Sequence, residues 1–265
     1  MVRTVEYDLV VDTSCFTALQ LQPGLVLAQS WNSLAAWCRA HLVPYPQLVC
    51  EHGVGAVVLA VEVRYPQRLG FFDSDTLTVR TRLGLRRRGT RLEQHTTITA
   101  AARTAAAVRT VLCPVAIREP MSLTAEPAPL PDALAQRFRD DEVDPSAPER
   151  TLPALLDAVR GFAGPIAEGL HPFRIARHHC ELADQWAFPA VPALVGSARE
   201  ELAVEHALTR GLAEPVTAID IELSRPFYVF DHGVVATAAY EGAFVHRLCA
   251  DGQEEPHGVV VERFG

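Results

Sequence analysis

Two stretches of this chain carry one pattern. Val61-Glu62-Val63-Arg64-Tyr65-Pro66-Gln67-Arg68-Leu69-Gly70-Phe71-Phe72-Asp73 is followed by Thr76-Leu77-Thr78-Val79-Arg80-Thr81. Ile219-Asp220-Ile221-Glu222-Leu223-Ser224-Arg225-Pro226-Phe227-Tyr228-Val229-Phe230-Asp231 is followed by Val234-Val235-Ala236-Thr237-Ala238. They align without a gap at an offset of 158 (231 − 73). In each, alternating residues lead into a turn containing Pro and Arg, then Phe-Asp, then a second alternating run. Few residues are identical, so the match is one of pattern. It predicts a strand–turn–strand unit used twice, in two halves built alike.

Working outward, the first half opens with an expected strand over Thr4–Val11. A helix follows over Leu25–Leu42, where Leu27, Leu34, Cys38 and Leu42 recur at helical spacing after Pro23-Gly24. Strands are expected near Ala56–Tyr65, Thr76–Leu85, Arg91–Ala101 and Thr104–Ile117, with a turn at Arg86–Gly89. Residues 119–150 hold six prolines and read as a linker with one short helix. Residues 151–170 suggest a further helix, interrupted by Gly161, Gly164 and Pro165. The second half repeats the order. A strand is expected over Phe173–His179, a loop over Glu181–Phe188, and a helix from Pro192 to about Thr209. That helix has an apolar face of Val191, Leu194, Val195, Ala198 and Leu202. Strands follow at Val216–Leu223, Gly233–Tyr240, Ala243–Cys249 and Val259–Phe264. This is α+β: a long helix against a curved antiparallel sheet, made twice.

Composition narrows the function. The chain has 265 residues, about half of them apolar, and a net charge of −8. That balance argues against a general nucleic-acid partner. With no secretory segment and no apolar run long enough to span a bilayer, a soluble cytoplasmic protein is expected. The six cysteines have no CxxC spacing, so reduced thiols are expected rather than a structural zinc site, and no metal or cofactor is implied. Every basic residue among the 24 counted is Arg. Without Lys, a lysine Schiff base and a Lys-dependent P-loop are both impossible.

The strand–helix–meander order, made twice around a Pro-rich crossover, resembles the double-hotdog acyl-ACP thioesterases. Val61–Thr81, Thr96–Thr99, Ala105–Val115 and the exit through Leu130-Pro131 carry the resemblance in the first half. It implies a tandem hotdog: residues 1–118, a crossover at 119–170, and residues 171–265. It also implies an acyl thioester on an acyl carrier protein or CoA. Because one double hotdog supplies the pairing that single hotdogs obtain by dimerising, a monomer or a homodimer is expected.

In that family a loop of the form Asp-x-Asn-x-His precedes the second helix, and a Glu lies on the helix. Here the stretch is Asp184-Gln185-Trp186-Ala187-Phe188, with Glu200 twelve residues beyond Phe188. Asp184 and Glu200 match the acidic positions; Trp186 and Phe188 stand where Asn and His are expected. A shifted alignment puts Glu181 in place of Asp184 and supplies no Asn or His either. His179, or its neighbour His178, is a candidate for the missing imidazole; alternatively one packs in the core and the other is solvated. Cys180 reads as a nucleophile or, more simply, as a buried thiol. Glu200 lies off the centre of the apolar face, where it is either a surface residue or an inward carboxylate.

The candidate catalytic set is therefore Asp184, Glu200 and His179. Candidate substrate contacts are Trp31, the sole Asn (Asn32), Trp186 and Phe188. Arg86, Arg87 and Arg88 read either as a solvated hairpin tip or as a phosphate or carrier contact. Asp73 and Asp231, being repeated, are expected to serve turns. Three functions follow: thioester hydrolysis or a related transfer or tailoring step, acyl binding without catalysis, or a dehydratase recruiting His52. The HxxxGxxxxP pattern of dehydratases is absent. Convergence of Asp184, His179 or Glu200 on an apolar pocket at the second helix start would favour an enzyme.

Overall fold

The structure, a computed structural model, describes residues 3–86, 89–119, 124–138, 141, 152–181, 184–253 and 255–265. The first half runs β1 (Thr4–Val10), α1 (Pro23–His41), α2 (Tyr45–Cys50), β2 (Val54–Arg64), β3 (Thr76–Arg86), β4 (Arg91–Ala100) and β5 (Arg103–Glu119). The crossover carries β6 (Thr124–Pro127), α3 (Asp132–Ala135) and α4 (Leu152–Arg160). The second half runs β7 (Ala167–Arg174), α5 (Val191–Glu205), α6 (Thr209–Ala213), β8 (Val216–Leu223), β9 (His232–Tyr240), β10 (Ala243–Ala250) and β11 (Gly258–Phe264).

All the strands join one antiparallel sheet, in the order β1-β3-β4-β5-β2-β8-β11-β10-β9-β7, with β6 added on β5. The order 1-3-4-5-2 in the first half becomes 7-9-10-11-8 in the second, and the halves meet edge to edge at β2 and β8. That seam is made by the repeat itself. Val61 pairs with Ile221, Glu62 with Asp220 and Val63 with Ile219. Glu62 and Asp220 are also equivalent by the offset (62 + 158 = 220), so the repeat's local two-fold passes between them.

Helix α1 lies against β3, β1, β4 and β5, while α5 lies against β7 and β9. Pro23 sits in the first turn of α1, where its fixed φ suits a helix and its missing N–H costs nothing. Val26, Leu27, Leu34, Trp37 and Cys38 are its buried face. On α5, Val191, Val195, Ala198 and Leu202 are buried, as their spacing predicts, and Leu194 is half-buried. One apolar cluster spans both halves, from Leu27, Val61 and Val63 to Val191, Val195, Ile219 and Ile221. Each such aliphatic side chain contributes about 1.5–3 kcal/mol by leaving water.

Three expectations differ from what forms. The strand expected at Phe173–His179 is β7, Ala167–Arg174, and residues 177–179 form a 3-10 turn. β9 begins at His232, the partner of Arg174, so the ladder has no partner strand further along. The helix expected over 151–170 stops at Arg160, before Gly161, Gly164 and Pro165, and residues 167–170 belong to β7. The linker also supplies a strand, β6, which pairs with β5. Among the described residues, no helix is long and apolar enough to cross a membrane. The cysteines are free: Cys15, Cys38 and Cys113 are buried, Cys180 and Cys249 are half-buried, and Cys50 is exposed.

Candidate active site

The loop before α5 is built by hydrogen bonds to the segment that follows β8. Trp186 N–H donates to Phe227 O at 2.8 Å, and Val229 N–H donates to Asp184 O at 2.8 Å. The second copy of the repeat's Pro/Arg turn is thereby brought against the loop. Between them lies a cavity of about 130 Å³. Trp31 from α1, Ala56–Leu59 from β2, Trp186, Phe188 and Val191 wall it, with Phe227 and the preceding Ser224-Arg225-Pro226 opposite. Trp31 meets Phe188 edge-on, ring centroids 5.4 Å apart, and Trp186 meets Phe227 the same way at 5.9 Å. At about 30 Å³ per water, the cavity has room for on the order of four waters, or for a short apolar chain.

Two polar side chains of the loop border this space, Glu181 and Gln185. Glu181 is exposed overall. Protein nevertheless crowds its carboxyl, and burial pushes the carboxyl above the ordinary carboxylate value. Glu181 is absent from the candidate set because its place depends on contacts between Gln185 and Tyr228, far apart in sequence. The cavity meets the start of α5, but few of that helix's first donors remain. Val191 N–H bonds Phe188 O, and Pro192 has no N–H.

The proposed catalytic residues do not converge on this cavity. Asp184 adopts φ +54 in a tight turn, and its carboxylate accepts from Arg177 Nη1 at 2.6 Å. His179 borders a neighbouring cavity of about 240 Å³, with Phe173, Trp186, Leu194 and Ser197. Its Nδ1 accepts from Ala176 N–H at 3.3 Å, which leaves the proton on Nε2. Because residues 177–179 form a 3-10 turn, the strand alternation expected of His178, His179 and Cys180 does not apply; the two His rings meet edge-on, with centroids 4.0 Å apart. Glu200 is exposed, pairs with Arg199 at 3.2 Å and borders a third cavity.

Trp31, Trp186 and Phe188 wall the first cavity, whereas Asn32 is exposed on α1. Arg86 is held by Glu93 at 2.8 Å. Arg87 and Arg88 lie outside the described residues. His52 is exposed in the turn after α2. Among the described residues, no group of three His, Cys, Asp or Glu side chains is placed to hold a metal.

No protein-family model matches the chain, and no curated protein sequence matches it. Solved structures do. An acyl-ACP thioesterase from Bacteroides thetaiotaomicron superposes with a TM-score of 0.72 at 10% identity, covering 99% of this chain and 98% of that one. The 12:0-ACP thioesterase from Umbellularia californica superposes with a TM-score of 0.73 at 9% identity, covering 99% and 97%. HtdX of Mycobacterium tuberculosis matches more loosely, with a TM-score of 0.53 at 13% identity, covering 99% and 100%. At such identities likeness is one of fold alone, and the fold of this chain is the hotdog fold of the acyl-ACP thioesterases.

Proposed function

We propose that the chain is a tandem hotdog, residues 1–118 and 171–265 joined by 119–170, which takes an acyl thioester into the cavity before α5 and hydrolyses it. One observation carries the reading: an apolar cavity at a helix start, with a carboxyl, Glu181, at its edge whose proton affinity burial raises. Trp31, Trp186 and Phe188 would line the acyl chain. The positive end of α5 would favour charge developing on the thioester oxygen. Glu181 takes a proton from water as the water oxygen bonds to the carbonyl carbon. The C–S bond then breaks, and the thiol leaves carrying that proton. The carrier is an acyl carrier protein or CoA; the names of the two closely superposed neighbours favour the former.

Acyl binding without turnover is the second reading. Two observations favour it. Trp186 and Phe188 stand where the resemblance leads one to expect a carboxamide and an imidazole, and the first donors of α5 are spent or missing. A panel of acyl-ACP and acyl-CoA thioesters, assayed for free thiol, separates the two. Hydrolysis predicts thiol release that falls on the order of 10²-fold in Glu181→Gln, with binding retained. Binding with no release from any thioester selects the second reading, and neither binding nor release overturns both.

A further inference from the structure

Trp186 borders two cavities at once. One is the cavity before α5, of about 130 Å³, and the other is the neighbouring cavity of about 240 Å³. Among the described residues, no other is common to both. Trp31, Phe188 and Phe227 wall the first, and Phe173, Ala190 and Leu194 wall the second. The indole belongs to a cluster of three rings that joins these walls. Its centroid is 6.2 Å from Phe173, on the second cavity, and 5.9 Å from Phe227, on the first. Phe173 and Phe227 meet edge-on at 5.2 Å.

This is not ordinary core packing. Protein interiors leave few voids larger than a water. Here one side chain, in a residue only 8% exposed, adjoins two of them. Its backbone is fixed, because Trp186 N–H donates to Phe227 O at 2.8 Å and the residue bridges to Cys180. The side chain therefore sets the division of the space. Trp186 also stands where the resemblance leads one to expect Asn, a much smaller residue.

Size then decides what the first cavity takes. An apolar cavity of about 150 Å³ holds one benzene molecule. At about 130 Å³ the first cavity matches a single ring. The nine carbons beyond the carbonyl of a decanoyl chain need roughly half as much space again as benzene's six. The aromatic walls also suit a ring, which they can meet edge-on as they meet one another.

We infer that Trp186 is the partition that limits the acyl group to single-ring size, and that removing its indole joins the two cavities into one space for a longer chain. The inference rests on the reading that the first cavity takes the acyl part of a thioester, but not on the hydrolysis that follows.

The test sets benzoyl against decanoyl thioesters, each on CoA and on an acyl carrier protein. Binding is read by calorimetry and turnover by free thiol. Wild type should favour benzoyl by about tenfold or more, the penalty of overfilling a packed site. Trp186→Ala should raise decanoyl affinity or kcat/KM by about tenfold or more, for the same reason. Trp186→Phe should fall between, and it carries the test if Trp186→Ala does not fold. Adding Leu194→Trp, which refills the neighbouring cavity, to either variant should remove the decanoyl gain. Wild type that takes decanoyl as well as benzoyl overturns the inference. So does a folded Trp186 variant with no decanoyl gain, or a gain that survives Leu194→Trp. Binding in the expected size order without thiol release upholds the partition and overturns hydrolysis. Thiol release without that order does the reverse, and wild type that binds neither thioester on either carrier overturns both.

Discussion

Glu93 shows how a single carboxylate is held in this sheet. It is 1% exposed, and burial alone would push its proton affinity up most strongly. Hydrogen bonds from His95 at 2.7 Å and Arg109 at 2.9 Å, together with their charges, reverse this and pull it well below the ordinary value of 4.5. A lowered carboxylate contributes stability that is present above 4.5 and lost as pH falls towards the folded value. The acid limb of a stability–pH profile should therefore shrink in Glu93→Gln. That variant should also lose about 3 kcal/mol in denaturant melts at neutral pH, because it removes the buried negative charge that Arg86 and Arg109 both pair with. The opposite sign applies to Glu181. Its carboxyl is raised by burial, so thioester hydrolysis should fall, as pH drops, at a value above 4.5. That limb should vanish in Glu181→Gln. The thiols give a simpler test. Cys50 is exposed, whereas burial pushes Cys38 up to about 12. Iodoacetamide should label Cys50 in the native protein and spare Cys38 until unfolding.

At the scale of elements, the repeat's conserved-looking Asp has a direct physical role. Asp73 Oδ2 accepts from Gly70 N–H at 2.9 Å, and Asp231 Oδ2 accepts from Tyr228 N–H at 2.7 Å. Both close the turn that feeds the next strand, as expected from their repetition. Asp73→Ala and Asp231→Ala should each cost about 1 kcal/mol in equilibrium unfolding. Gly233, at the start of β9, is more demanding. A Cβ there would come within 2.8 Å of the Phe173 ring and closer still to the Cys249 carbonyl oxygen. Gly233→Ala should cost about 1–3 kcal/mol, measured the same way, since a backbone atom cannot give way as a side chain can. Most elements were legible because their periodicity reports the face they bury. The 3-10 turn at residues 177–179 was not: alternation suggested a strand, but a strand needs a partner, and β9 ends the ladder opposite Arg174.

Over the whole molecule, the two halves share one sheet and one apolar cluster, with Val63 and Ile219 fully buried at the seam. Unfolding should therefore be a single cooperative transition, with fluorescence and circular dichroism curves superimposed. Two separated transitions would contradict a continuous core. The sequence by itself determined the duplicated strand–helix–meander order, the apolar faces of both long helices and the absence of lysine chemistry. These are local properties: spacing along the chain reports which face is buried, and composition reports which groups exist. Only the tertiary structure decided that Glu181 and Gln185 border the first cavity while Asp184 turns to Arg177, and that Trp186 borders a second as well. Those placements depend on hydrogen bonds such as Trp186 to Phe227 and Val229 to Asp184, between residues far apart in sequence, whose partners no periodicity encodes.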